Sequence, residues 1–146
     1  LGLERKPGLY WNMVGAIAAS DWLQDADQIL GVLREAALQP PSVEELAKIA
    51  GIEDSRVKAV FELLEDQDQV VRVDGIMTYS LSAVEDLRSA VVEQLQNGSL
   101  DIPAIRNRFG TTRKYLMPLL EFLDERGITA RRGPNRILKD ASAPLN

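Results

Sequence analysis

The residues best suited to chemistry in this sequence are basic, and they cluster towards one end. Residues 103–139 hold nine Lys and Arg residues against three acids, whereas the rest of the chain has eight basic and nineteen acidic residues, within a net charge of −5. A basic region on an acidic body suits binding to a polyanion such as a nucleic acid. The charge count alone leaves open the alternative of an ordinary solvated surface.

One predicted helix carries basic residues at the end where acids are usually found. The segment TTRKYLMPLLEFLDERG has Arg113 and Lys114 in its first turn and its acids at the far end, although acids normally favour a helix N-terminus. Free backbone N–H groups at a helix start attract anions, so these cations, with Thr112 beside them, predict a phosphate site. Tyr115 either packs in the core or stacks on an unpaired base, and both interpretations stay open.

The same predicted helix contains Pro118 in its second turn. Proline has no N–H to donate to the carbonyl of Lys114, and it bends a helix. Either the proline is simply tolerated near a helix start, or the bend presents residues 113–115 to a ligand.

A second group of basic residues follows in a predicted β-hairpin. The sequence ITARRGPNRIL has two short arms around a Gly133-Pro134-Asn135 turn. Arginine suits such a site because its planar guanidinium binds phosphate or a guanine edge through two hydrogen bonds. With the helix start, the hairpin predicts one basic surface. Its further members are Arg131, Arg132, Asn135 and Arg136, extended by Arg106 and Arg108 on the preceding helix.

Composition excludes several kinds of site. The chain has no cysteine and no histidine, which rules out disulfides, thiolate metal sites and the usual neutral-pH general base. We find no phosphate loop, dinucleotide motif or nucleophile–base set, so we expect no enzyme activity, no cofactor and no metal in this chain. No apolar run is long enough to span a membrane. We therefore expect a cytoplasmic protein.

The first part of the sequence predicts three helices followed by a hairpin. The first helix covers residues 25–38. Ser42 and Glu45 form a capping box for the second, which Gly51 ends. Asp54 or Ser55 caps the third. The sequence VVRVDGIMTY then predicts a hairpin around Asp74-Gly75. This order of elements is that of a winged helix-turn-helix.

The second part repeats this order. Ser82 begins a helix that Asn97-Gly98 ends, and SLDI is compatible with a short strand. A helix over residues 103–109 follows, with Pro103 at its permissive first position. Gly110 turns the chain into the helix described above, for which Thr111 or Thr112 is the predicted cap and which Gly127 ends.

The two parts align at a constant offset of 59 residues without a gap. Leu46 matches Ile105, Gly51 matches Gly110, and both hairpin turns coincide. Four further apolar positions of the third helices also match, namely Val57, Val60, Phe61 and Leu64 with Leu116, Leu119, Leu120 and Leu123. Coincident cores, helix breaks and turns predict two tandem copies of one unit.

These patterns predict a mainly α protein with small β-hairpins (α+β), built from two tandem winged helix-turn-helix domains. The predicted division is an unassigned N-terminal extension (1–22), an acidic domain (23–81), a basic domain (82–140) and a tail (141–146); the family resemblance described next implies that the acidic domain is spacer-like and that the basic domain is RNA-binding. Acids dominate the third helix of the first domain, which makes it a poor nucleic-acid reader because acids repel phosphates.

Two segments resemble a known family. LQPPSVEELAKIAGI, and RFGTTRKYLMPLLEFLDERGITARRGPNRIL in particular, resemble the C-terminal tandem winged helices of the bacterial selenocysteine-specific elongation factors. The specific part is the run from Arg113-Lys114-Tyr115 through the basic hairpin. The sequence departs from the family at Thr129-Ala130-Arg131-Arg132, where the family usually has Thr-Arg-Arg.

The resemblance implies a function. It implies that the last winged helix grips an mRNA hairpin, the selenocysteine insertion element, which marks a UGA stop codon for recoding. It implies contacts through Arg113, Lys114, Tyr115 and Arg136, with Ile137 near a flipped loop base. It also implies that GTP, selenocysteinyl-tRNA and the ribosome are partners of the full-length factor through N-terminal domains that this chain lacks. We expect the chain itself to be a monomer.

Two other functions stay open on the sequence. A winged-helix transcriptional regulator would bind duplex DNA, but it normally needs basic helices in both units or a dimer interface. A winged-helix protein-interaction scaffold would leave the basic cluster unexplained.

Overall fold

A computed structural model of the chain describes residues 19–146, and the side chains from residue 21 onward. In this range there are six helices and two antiparallel two-stranded hairpins. They are α1 (Ala19–Ala36), α2 (Val43–Ala50), α3 (Asp54–Asp66), β1 (Val70–Val73), β2 (Met77–Ser80), α4 (Leu81–Asn97), α5 (Ile102–Phe109), α6 (Arg113–Glu125), β3 (Thr129–Arg132) and β4 (Asn135–Leu138). The fold class and both winged helices are as predicted. Most of the predicted N-terminal extension, 1–22, lies outside the described residues.

The helix starts of the first unit match the sequence patterns only in part. The capping box at α2 is present: the Ser42 hydroxyl accepts from the Glu45 N–H at 3.1 Å, and the Glu45 carboxylate accepts from the Ser42 N–H at 3.2 Å. At α3 the predicted caps were wrong, since Glu53 occupies the cap position without a side-chain bond. Helix α1 begins at Ala19, earlier than residue 25, and its first turns bury Trp22.

The second unit begins directly at the end of the first hairpin. The Ser80 hydroxyl accepts from the Ala83 N–H at 3.3 Å, so α4 starts at Leu81 and not at Ser82. The predicted strand in SLDI is wrong, because the Asp101 carboxylate accepts from the Ala104 N–H at 3.0 Å and starts α5. Pro103 is accordingly the second residue of that helix.

The repeat is exact at the starts of the second and third helices of each unit and fails by one residue in the hairpins, whereas the first helices, α1 and α4, begin 62 residues apart. Helices α2 and α5, helices α3 and α6, and strands β1 and β3 begin 59 residues apart, whereas β2 and β4 begin 58 apart. In the first hairpin Val73 pairs with Met77, and in the second Arg132 pairs with Asn135. The prediction of a gapless repeat was therefore wrong at the turn, where the second hairpin is one residue shorter and Asn135 belongs to β4.

The buried hydrophobic side chains of residues 21–146 form two clusters, one of which draws on both units. The first cluster joins α1, α2, α3 and the start of β1. The second contains the apolar faces of α4 and α6 together with four residues of the first unit, namely Leu38, Val71, Val73 and Tyr79. The two units consequently share buried apolar surface, and burial of such surface is a principal stabilising term in folding.

Two hydrogen bonds close the same junction. The hydroxyl of Thr111, which is buried, donates to the carbonyl of Leu38 at 2.8 Å, and the Gln39 side-chain amide donates to the carbonyl of Gly110 at 2.8 Å. The loop after α1 is therefore fixed to the turn before α6. We call these two bonds and the apolar contacts around Leu38 and Tyr79 the seam.

The predicted tail, 141–146, packs against the second unit. The N–H groups of Lys139 and Asp140 donate to the Ile128 carbonyl at 2.8 and 3.1 Å. Arg88 on α4 donates to the Ala143 carbonyl, and both Ala143 and Leu145 are buried in the second cluster. Within residues 19–146 no helix is long and apolar enough to cross a membrane. The same range contains no group of His, Cys, Asp or Glu residues that could hold a metal ion.

Candidate nucleic-acid interface

The turn before α6 uses its two threonines differently. Gly110 ends α5 with φ 61°, a left-handed conformation that glycine adopts at little cost. Thr111 then turns inward to the seam. Thr112 occupies the N-cap position of α6 but makes no side-chain cap bond, and it is exposed. Its hydroxyl is thus accessible beside the unsatisfied N–H groups of the helix start.

Arg113 and Lys114 are exposed on the first turn of α6. Among the residues that the structure describes, neither forms an ion pair. The Lys114 Nζ lies 5.2 Å from the centroid of the Tyr115 ring, within cation–π range. Two cations without a carboxylate partner, at the positive end of a helix, form a surface that can bind phosphate.

Tyr115 is half-buried at the seam. It lines a cleft of about 200 Å³ with Lys114 and with residues of the first unit, among them Val43 and Ile76. Burial, and secondarily the neighbouring Tyr115, raises the pKa of Tyr79 above its ordinary value. Tyr115 therefore has both the packing role and the partly accessible ring that the sequence had left as alternatives.

Helix α6 runs without a break through Pro118. The proline supplies no N–H to the carbonyl of Lys114, so this carbonyl has no helical partner. The acceptor lies in the first turn of α6, on the residue that carries one of the two free cations.

One arginine of α5 joins this site and the other does not. Arg106 and Arg113 line a cavity of about 500 Å³ together with residues 99–103. Arg108 instead lies 5.6 Å from the Phe109 ring, with its Nη1 4.0 Å from the Glu93 Oε2. The helix-start site therefore extends onto α5 through Arg106.

The hairpin β3–β4, which we call the second wing, displays four of the predicted residues. Arg132 and Asn135 form the closing pair at the turn, and both are exposed. Ile137 pairs across the strands with Ala130 and is 40% exposed. Arg131 is also exposed, and its cross-strand partner is Arg136.

Arg136 lies inside the fold. Its side chain is 6% exposed, and its Nε donates to the two carboxylate oxygens of Asp124 at 3.1 and 3.2 Å. The Thr129 hydroxyl, also buried, donates to the same carboxylate at 2.5 Å. These bonds attach the second wing to the last turn of α6, and sequence reasoning missed both Asp124 and Thr129. The available signal was the carboxylate that both copies place at this helix position, Glu65 and Asp124.

The chain resembles known proteins of one kind. Residues 94–138 match the family model for the winged helix of elongation factor SelB. The selenocysteine-specific elongation factor of Desulfomicrobium baculatum is 26% identical over 106 residues, covering 72% of this chain and 17% of that protein. The Escherichia coli K12 protein of the same name is 26% identical over 104 residues, covering 70% of this chain and 17% of its own length. The chain thus spans about a sixth of the relatives it matches.

Two solved structures share the fold. The mRNA-binding domain of E. coli SelB in complex with SECIS RNA superimposes with a TM-score of 0.65 at 23% identity, covering 80% of this chain and 98% of that one. A bacterial selenocysteine-specific elongation factor, EF-Sec, superimposes with a TM-score of 0.60 at 25% identity, covering 83% of this chain and 19% of that one. The resemblance inferred from the sequence is confirmed: this chain is similar to a winged-helix region of SelB.

Proposed function

We propose that this chain binds an mRNA hairpin, the selenocysteine insertion element, and tethers a selenocysteine-specific elongation factor to the message for UGA recoding. One observation carries the proposal. Two copies of the same fold lie in one chain, and among the described residues only the second exposes unpaired cations at the start of its third helix. The family match at residues 94–138 falls on that same copy.

The RNA contact surface that we propose has two parts. The first is the start of α6, and the second is the second wing. Tyr115 and Ile137 offer partly exposed non-polar surface next to the cations, which suits an unpaired base. The proposed residues are Thr112, Arg113, Lys114, Tyr115, Arg131, Arg132, Asn135 and Ile137, with Arg106 at the edge of the first part.

The chemistry of RNA favours a hairpin loop as the target. The deep major groove of an A-form helix excludes side chains, whereas loop bases are splayed out and can be stacked on and hydrogen-bonded. Arginine and lysine at the helix start neutralise backbone phosphates, so affinity is expected to fall as salt rises.

The remaining partners belong to the longer factor. We propose that GTP, selenocysteinyl-tRNA and the ribosome are bound through other domains of a cytoplasmic translation factor. In this proposal the chain is a non-catalytic, monomeric RNA-binding region. Residues 23–81 act as a spacer and residues 82–140 as the RNA-binding domain.

Binding measurements with three nucleic acids test the proposal. We expect the chain to bind a hairpin that carries a selenocysteine-insertion loop more tightly than the same stem with a scrambled loop, and more tightly than duplex DNA. Equal affinity for all three would contradict loop recognition, and preference for duplex DNA would indicate a transcriptional regulator. No binding even at low salt would favour a protein-interaction scaffold.

A further inference from the structure

Both copies attach their wing to their third helix through a carboxylate at the same position. In the first copy Glu65 pairs with Arg72 of β1, with 2.8 Å between Oε1 and Nη2. In the second, Asp124, 59 residues later, pairs with Arg136 of β4. The two carboxylates therefore bind arginines on opposite strands of their hairpins.

The two carboxylates pair with arginines on different strands because the copies differ at one position of the second strand. Arg72 lies opposite Thr78 in the first hairpin, and Arg131 lies opposite Arg136 in the second. Thr78 carries no charge, so Glu65 pairs with the arginine of the first strand. In the second copy Arg136 supplies a cation on the other strand, and Asp124 binds it.

This difference determines which arginine of the second wing remains available to bind a ligand. Arg131 is the counterpart of Arg72, but it has no ion pair among the described residues and is exposed. Arg136, by contrast, is 6% exposed and bonded to both carboxylate oxygens. Arginine cannot be deprotonated in proteins, so a buried guanidinium of this kind is held by its carboxylate partner.

We propose that Asp124 is a positioning residue for RNA binding: it holds Arg136 inside the fold, fixes the second wing on α6 and leaves Arg131 as the cation that meets a phosphate. This inference rests on the proposed function, because it concerns the same RNA surface. The family resemblance implied that Arg136 contacts RNA, whereas in this proposal Arg136 supports the second wing from inside the fold. Thr129 supports the carboxylate from β3.

The direction in which one substitution changes RNA affinity distinguishes the positioning role of Asp124 from a purely electrostatic effect. Asp124→Asn removes a negative charge from an RNA-binding surface, which by Coulomb attraction alone strengthens binding. It also frees Arg136, which would strengthen binding further if Arg136 contacted RNA directly. Under the positioning role the same substitution weakens binding, because the wing is no longer held in its binding geometry.

The main experiment compares Asp124→Asn with Glu121→Gln, which makes the same charge change at an exposed site on the same helix. With hairpin RNA at 25 °C, and with circular dichroism verifying that each protein is folded, we expect Asp124→Asn to lose about tenfold in affinity. Glu121→Gln should equal or slightly exceed wild type. An affinity of Asp124→Asn at or above that of Glu121→Gln overturns the proposal.

A salt titration and a double mutant test the role of Arg131. Arg131→Ala should lower the slope of log affinity against log salt by about one phosphate contact, and Asp124→Asn should lower it by a similar amount, because Arg131 is then no longer held in position to meet its phosphate. Arg131→Ala should also have a smaller effect in the Asp124→Asn background than in wild type. Additive effects of the two substitutions overturn the positioning role, because a merely structural support does not couple to Arg131.

A milder variant and a measurement without RNA complete the test. If Asp124→Asn does not fold, Thr129→Val decides: it removes one hydrogen bond to the carboxylate, and an unchanged RNA affinity overturns the proposal. In the free protein, the Arg136 Nε–H should give a slowly exchanging NMR signal that Asp124→Asn abolishes. A protected signal in a protein that binds no hairpin refutes the proposed function only, whereas hairpin binding without the protected signal refutes the positioning role only.

Discussion

The two winged helices of this chain have matching apolar cores, but the starts of their third helices carry opposite charge. At the starts of their third helices, Asp54 and Ser55 in the first copy stand where Arg113 and Lys114 stand in the second. The next position differs as well. Arg56 turns inward to pair with Asp25 and to lie 5.9 Å from the Trp22 ring, whereas its counterpart Tyr115 faces the seam.

The comparison separates what the fold requires from what binding requires. Buried apolar positions recur at a fixed spacing because close-packed interiors tolerate little change in volume. The exposed positions of the same helices are free to differ, since surface substitutions usually change stability by less than about 0.5 kcal/mol. The first copy thus serves as an internal control for the proposed RNA surface of the second, and the predictions below use matched positions of the two.

The largest expected effect is on stability, from substitutions at buried positions that are equivalent in the two copies. Leu64→Ala and Leu123→Ala remove equivalent, fully buried side chains, 2% and 0% exposed, from different clusters. Each should lower the free energy of unfolding by about 2–5 kcal/mol, because the lost transfer energy adds to the cost of a cavity. Urea denaturation measures both, and a negligible effect of either would show that the two copies do not share one packing scheme.

A smaller effect is expected at the seam, where the copies differ. Thr111→Val deletes the hydroxyl that donates to the carbonyl of Leu38, in the loop after α1, and the unsatisfied carbonyl should cost about 1–3 kcal/mol of stability. Thr112→Val is the matched control, since the Thr112 side chain makes no cap bond. Thermal unfolding should separate the two variants; equal melting temperatures would mean that the bond does not stabilise the junction.

The charged helix starts give the next prediction. Arg113→Ala should weaken binding to the mRNA hairpin about tenfold and lower the salt slope by about one, as expected for a lost phosphate contact. Asp54→Ala, at the matched position of the first copy, should leave hairpin affinity unchanged or slightly higher. Fluorescence anisotropy at two salt concentrations measures both, and a loss for Asp54→Ala as large as for Arg113→Ala would remove the distinction between the copies.

The smallest effect is expected in the first wing. Arg72→Ala breaks an ion pair with Glu65 whose side chains are 41% and 39% exposed, so stability should fall by no more than about 1 kcal/mol. RNA affinity should stay almost unchanged, because this arginine is already neutralised. A large loss of RNA affinity would assign the first unit a direct binding role and contradict its role as a spacer.

The sequence predicted the helices and hairpins well because their signals are local. Hydrophobic periodicity, the capping box at Ser42 and the turn at Asp74-Gly75 all lie within one element and its ends. Two errors arose because the residue at a helix cap is not the one predicted. Glu53 occupies the cap position before α3. Asp101 caps α5 where the sequence was compatible with a strand. The one-residue difference between the hairpins was hidden because the offset of 59 still aligns both turns.

The candidate site was predictable in its location and less so in its details. Charge and spacing identified Arg113 and Lys114, which the structure leaves exposed. The internal position of Arg136 was not predictable, since it depends on Asp124 and Thr129 coming together across twelve residues of chain. Nor was the seam, because a hydrogen bond between Thr111 and Leu38 joins residues 73 positions apart.

The seam has a consequence for anything joined to this chain. A flexible linker limits only the maximum separation of two domains, because each domain can rotate freely about the connection. The shared apolar cluster and the two hydrogen bonds at Leu38 and Gln39 remove that freedom. A ligand bound at the start of α6 would therefore be held in a fixed orientation, as well as at a fixed distance, relative to α1.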